Sequence, residues 1–202
     1  MCTCRIEVKP ELSVIVKIHH QSNVFIPFVS LLLLLAGCEE PPAKIETTRD
    51  WQTHLQEAKL PADFVPAVSE SVYVPIYSDI YFEDTKRSLL LAGTLSIRNI
   101  DPKQELIIKS IRYYDTQGKM LEQLLDHPVL LAPFGTAEVV VPRTHASGGS
   151  GANFVVDWMS SKKVHEPLLE AVMLSTGSSQ SVSFTTRGVV IEHTEGKPAE
   201  SK

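Results

Sequence analysis

Apolar and polar positions alternate differently in the two parts of the chain. Residues 24–36 read VFIPFVSLLLLLA without a charge, whereas beyond residue 71 apolar residues come in short runs separated by turn residues. The later runs are rich in β-branched and aromatic side chains and show no long helical period, so they predict strands. About eight are expected. The first covers 72–77, with Pro75 marking an edge strand, and Tyr81 follows shortly after. Further strands are expected over 89–100, 105–115, 119–125, 136–141, 152–158, 168–175 and 182–192. In the second long run Leu91, Gly93, Leu95 and Ile97 alternate with Ala92, Thr94, Ser96 and Arg98, which predicts one buried and one wet face. Asn99-Ile100-Asp101-Pro102 and Asp115-Thr116-Gln117-Gly118 read as turns, the latter with a glycine available for positive φ.

Short strands without alternating helices predict an all-β fold, an antiparallel immunoglobulin-like β-sandwich over 72–192. Phe154, Val156 and Trp158 lie on one face of their strand and are expected to form its aromatic centre. Residues 38–71 are polar and punctuated by proline, the composition of a tether. A short helix over 48–60 fits inside it: Thr48 as N-cap, Asp50 in the first turn, Trp51, Leu55 and Ala58 on one face, and Pro61 as the stop. Residues 193–202, rich in Glu, Lys, Pro and Ser, read as a disordered tail.

The uncharged run has Arg5, Lys9 and Lys17 before it, the layout of a signal peptide. It is shorter than the roughly 20 residues that span a bilayer. It ends Leu35-Ala36-Gly37-Cys38, which resembles the lipobox of bacterial lipoproteins. The expectation is removal of residues 1–37 and attachment of lipid to Cys38, giving an exported, membrane-anchored protein that faces the periplasm or the cell exterior. The competing readings are a chance cysteine behind an ordinary signal peptide and an uncleaved anchor.

Cleavage changes the charge and thiol content. Of 19 basic and 24 acidic residues it removes three and two, which leaves 16 against 22 and a net charge of -6. No basic stripe exists, so nucleic acid is not an expected partner. Cys2 and Cys4 leave with the leader, and the sulfur of Cys38 is expected to be blocked by lipid. An internal disulfide and a thiolate zinc site are thereby excluded. About 165 residues can bury roughly 70% of their extended surface, so the core needs no staple.

Candidate chemistry concentrates in residues 144–158, THASGGSGANFVVDW, where His145, Ser147, Ser150, Asn153 and Asp157 surround Gly148, Gly149 and Gly151. Three readings compete: a tight strand connection, a ligand loop whose amides bind an anion or a sugar, and a hydrolase using Ser147 or Ser150 with His145. The G-x-S-x-G order of a nucleophile elbow is absent. His54, His127, His145, His165 and His193 are scattered, with no pair at i, i+4, and Asp79, Glu83 and Asp84 lack the order of a calcium loop. No metal or cofactor is expected. Tyr73, Tyr77, Tyr81, Tyr113 and Tyr114 are read as core packing, with an exposed aromatic strip as the rival.

Several segments together resemble a known family: VYVPIY at 72–77, LSIRN at 95–99 with Asp101-Pro102, RYYD at 112–115 with Gly118, SGGSGANF at 147–154, EAVM at 170–173 and SFTTRG at 183–188. They are similar to a bacterial family of domains of unknown function, number 3124, over about 72–191. The resemblance implies an extracytoplasmic, often lipid-anchored domain and brings no activity with it. The expected role is a non-catalytic module, held to the membrane by its N-terminal lipid, that binds an envelope protein, a glycan or a small ligand. The alternatives are the hydrolase and a structural component of an envelope complex.

Overall fold

The computed structural model describes residues 55–176 and 181–196. Among these, thirteen strands follow one another: β1 (Gln56–Glu57), β2 (Val68–Pro75), β3 (Asp79–Phe82), β4 (Asp84–Leu90), β5 (Ala92–Arg98), β6 (Leu106–Tyr114), β7 (Met120–Gln123), β8 (Val129–Leu131), β9 (Thr136–Val141), β10 (Asn153–Ser160), β11 (Leu168–Thr176), β12 (Ser181–Arg187) and β13 (Val189–Glu195). Ala146–Gly148 form a single 3-10 turn. No helix of the described residues is long and apolar enough to cross a membrane.

Eleven of these strands build two antiparallel sheets packed as a sandwich, and β3 and β4 form a two-stranded sheet of their own. The larger runs β1-β8-β6-β10-β2-β13, with β7 also on β6, and the smaller runs β12-β11-β5-β9. Between them lie Val72, Val74, Ile108, Ile111, Tyr113, Phe154, Val156 and Trp158 from the larger sheet. Leu95, Ile97, Val139, Ala171 and Met173 face them from the smaller. The alternation read from residues 91–98 holds except at Ser96, which is buried too: Leu91, Leu95 and Ile97 are buried, and the missing Cβ of Gly93 leaves the slot that Ile76 fills.

The structure divides two long expected strands, each for a local reason. Residues 89–100 become β4 and β5, because β4 pairs with β3 as a separate hairpin and Leu91 N–H donates instead to Ser78 C=O. Residues 182–192 become β12 and β13, because the chain changes sheets at Gly188. Its N–H still donates to Leu169 of the smaller sheet, while Val189 already pairs with Tyr73 of the larger. A Cβ at Gly188 would lie 2.7 Å from Val72, so only glycine passes through this crossing.

The boundaries of the domain also move outward. Residues 48–54 of the expected helix lie outside the described residues, and the remainder is extended: Gln56 and Glu57 pair with Leu130 and Val129. An open strand edge on β8 supplied partners that the helical spacing of Leu55 and Ala58 could not reveal. Much of the expected tether is part of the domain, since Ala58, Leu60 and Phe64 pack with Ile107 and Met159 on the outer face of the larger sheet. β2 begins at Val68, not at residue 72, and β13 continues through Glu195 into the expected tail.

Candidate functional site

The glycine-rich loop is packed, and its partners come from distant strands. Gly148 is buried, and a Cβ there would lie 2.0 Å from the Tyr113 hydroxyl oxygen and 2.7 Å from Ser78 Oγ. Those two hydroxyls are themselves hydrogen-bonded at 2.8 Å, and burial pushes the Tyr113 phenol above its ordinary pKa. Gly148 C=O accepts from both the N–H and the hydroxyl of Thr116, and Thr116 Oγ1 in turn accepts from Gly151 N–H. Gly149 sits at φ 72°, ψ -166°, a region in effect reserved for glycine, and its C=O accepts from Ser78 N–H.

The other residues singled out in this loop do not converge. The His145 ring lies near Tyr113, with centroids 6.3 Å apart, and neither Ser147 nor Ser150 is hydrogen-bonded to it among the described residues. Asn153 has left the loop as the first residue of β10, paired with Pro75 and Tyr114. Asp157 belongs to a different site. Cys38 and His54 lie outside the described residues.

Asp157 projects from the outer face of the larger sheet, where cross-strand register places Ser71 of β2 and Ser110 of β6 directly beside it. Both hydroxyls donate to its carboxylate, Ser71 to Oδ1 at 2.6 Å and Ser110 to Oδ2 at 2.5 Å. Arg112 Nη2 donates to the two oxygens at 3.0 and 2.8 Å. The acid therefore accepts four hydrogen bonds from three residues, and the arginine is held in one orientation. A register shift between Asp157 and Trp158 makes Lys109 an extra residue in β6. This bulge turns Lys109 and Ser110 toward the same face.

Ser71, Lys109, Arg112 and Asp157 floor an open groove of about 530 Å3. Leu60, Pro61, Phe64 and Pro66 form one wall, and Glu192 and Thr194 of β13 border the opposite side. The packing of residues 58–64 on this face makes the apolar wall, so the groove depends on the segment that composition alone assigns to a tether. Arg112 Nε is buried without a hydrogen-bond partner. Sequence reasoning missed this site except for Asp157, because the other three members stand 45 to 86 residues from it and meet it only through strand register.

Two of the scattered histidines and two of the three acids have ordinary partners, whereas Asp79 Oδ1 is buried without one. His165 and its backbone N–H bind Asp101, and His193 Nδ1 meets the buried Glu70 at 2.8 Å. That hydrogen bond, followed by the charges of Glu70 and Glu195, raises the His193 pKa. Glu83 pairs with Arg87, and Asp84 accepts from Lys86 N–H. No three His, Cys, Asp or Glu side chains of the described residues come together as a metal site. The tyrosines form no continuous strip: Tyr113 is in the core, Tyr77 packs edge-on against Phe184, and Tyr81 is exposed.

No curated protein matches this chain. A solved structure, titled "Crystal Structure of Thermotoga maritima 1070", is similar at 16% identity over 59% of this chain and 92% of that one, with a TM-score of 0.36. Residues 69–191, from the second residue of β2 into β13, match the family described as "Protein of unknown function (DUF3124)". The sandwich that carries both the glycine-rich loop and the Asp157 groove is thus the family's domain, and the chain belongs to that family.

Proposed function

We propose that this is a lipid-anchored extracytoplasmic binding module without catalytic activity, and that its ligand site is the groove above Asp157. The observation that carries the reading is the fixed arginine. Asp157 orients Arg112 through two contacts and has its own oxygens occupied, so the pair presents directed N–H donors and not a free base. Lys109 adds a cation from the bulge, and Leu60 and Phe64 add an apolar wall. The volume falls in the range of small-ligand sites. A ligand with acceptor oxygens beside an apolar group fits this lining, as an envelope peptide, a glycan or a small carboxylate would provide.

The Leu35-Ala36-Gly37-Cys38 run that closes an uncharged stretch supports the anchor and, with it, a position outside the cytoplasm. The hydrolase alternative needs His145 within reach of a serine, and the Tyr113 contact of its ring supports a packing role instead. Thermal-shift and pull-down screens of the purified protein against envelope fractions, glycans and acidic peptides test the reading. A ligand that raises the melting temperature of the native chain and not of Arg112→Met is the expected result. Failure to bind any of them, together with cleavage of an ester or peptide substrate, overturns it.

A further inference from the structure

A second surface lies at the end of the sandwich where the chain enters. The turn between β8 and β9 is closed by Gly135 N–H donating to Ala132 C=O at 2.8 Å, with Pro133 and Phe134 at its centre. Phe134 has φ 58°, at the position where glycine or asparagine ordinarily relieves the strain of such a turn. The residue is 71% exposed. The fold thus keeps a bulky aromatic where the backbone asks for glycine and where the side chain contributes little to the core.

The neighbouring turn presents Ile100, 46% exposed, and the two turns are locked together. Buried Asn99 donates its backbone N–H to Gly135 C=O and its side-chain amide to the C=O groups of Gln104, Leu131 and Ala132. Asn99 Oδ1 accepts from Asp101 N–H. Asp101 fixes the rest of the turn through the N–H groups of Lys103, His165 and Gln104, which hold its carboxyl well below the usual carboxylate range. The exposed apolar pair therefore projects from a preorganised support. Lys103 stands beside two acids, Asp101 and Glu105, so the tip carries no cationic patch, and whatever covers the pair is drawn by apolar burial and not by attraction to anionic charge.

Leu55 and Gln56 share a cleft with Ala132 and Gly135 of the same turn. Sixteen residues lie between Cys38 and Leu55, a contour of at most about 60 Å. The segment that leads from the anchor thus joins the domain beside Phe134. We infer that the Ile100–Phe134 tip rests in the interfacial layer of the bilayer that carries the lipid on Cys38. This rests on the anchor reading above. Contact at the tip orients the sandwich on the membrane and adds a second, weak attachment to the covalent one.

The absence of other thiols from the mature chain makes a direct test available. Full-length lipidated Phe134→Cys, labelled with an environment-sensitive fluorophore and reconstituted in phosphatidylcholine vesicles, is compared with Gln117→Cys, which lies beyond the other end of β6. The label at 134 is expected to shift to the blue and to be quenched severalfold more by bilayer-embedded nitroxide lipid. Neither added salt nor anionic lipid changes this. Equal quenching at both sites overturns the proposal, and a blue shift without lipid quenching points to a protein occupant and overturns it too. Labelled Ile100→Cys in a Phe134→Gly background is expected to lose most of its quenching while melting no lower than the parent. Mass spectrometry of residue 38 in the same samples separates the two readings: lipidated Cys38 with an unquenched tip refutes the tip alone, and unmodified Cys38 refutes the anchor and with it the occupant.

Discussion

The glycine-rich loop and the Asp157 groove share strand β10, one leading into its first residue and the other on its outer face, yet they were built under opposite constraints. In the loop the sequence is conspicuous and the chemistry is spent on packing: Gly148 makes room for Tyr113 and Ser78, and Gly149 takes a backbone conformation other residues avoid. In the groove the sequence is ordinary and the chemistry faces outward. Ser71, Ser110, Arg112 and Asp157 carry no motif, but strand register gathers them around one carboxylate. A run of glycines reports what the backbone must do, whereas a site that can bind is an arrangement of side chains.

The largest expected effect tests the loop. Gly148→Ala drives a methyl group against the buried Tyr113 hydroxyl and Ser78 Oγ, and the Tyr113 ring behind it packs on Phe154 with centroids 5.1 Å apart. Overpacking of this kind costs about 3 kcal/mol, and denaturant titration should find it with ligand binding by the folded protein unchanged. A variant of unchanged stability that no longer binds ligand would reverse the assignment of the two regions. Asp157→Ala comes next. It strips Arg112 of its acid and leaves two hydroxyls without their acceptor, a loss of about 2 kcal/mol for a half-buried charged network. Here ligand affinity should fall along with stability, and unchanged affinity would remove the groove from consideration.

Phe134→Gly sharpens the comparison from the other direction. The loop has glycine at Gly149, where φ is positive, and the β8–β9 turn has phenylalanine at such a position. Relief of that strain should stabilise the fold by about 1 kcal/mol after the greater unfolded-state freedom of glycine is counted, measurable as a higher denaturation midpoint. The smallest effect is that of pH on the border of the groove, where β13 is tied to β2 by His193 and Glu70. The folded-state pKa of His193 is raised, so its contribution is complete below the ordinary histidine value of about 6.5 and is lost as pH rises through the higher folded value. Melting temperature should decline slightly as pH rises through that window in the native chain, and most of the decline should be lost in Glu70→Gln, where only Glu195 still acts on the ring.

Strand content was legible because side-chain alternation is local. Residues 136–141 were read with the observed ends, and the burial of Phe154, Val156 and Trp158 follows from their spacing along one strand. The turn at Gly118, with φ 79°, was legible for the same reason. The failures all involve partners far away in the chain. Nothing near residue 56 announces the free edge of β8, and nothing near Gly188 states that one sheet ends there and the other begins. A helix face and an extended segment laid on a sheet can show the same apolar residues, so Leu55 and Ala58 did not discriminate between them.

The sequence by itself determined an all-β domain without disulfides, its family, and the glycine positions that its turns require, since each of these is encoded in composition or in neighbours a few residues apart. Only the tertiary structure decided that residues 55–66 belong to the domain, that the glycine-rich loop is a packing device, and that Asp157 meets Arg112. Those outcomes depend on which strand edges pair and in what register. A shift of one residue in that register would turn every one of these side chains to the opposite face of the sheet.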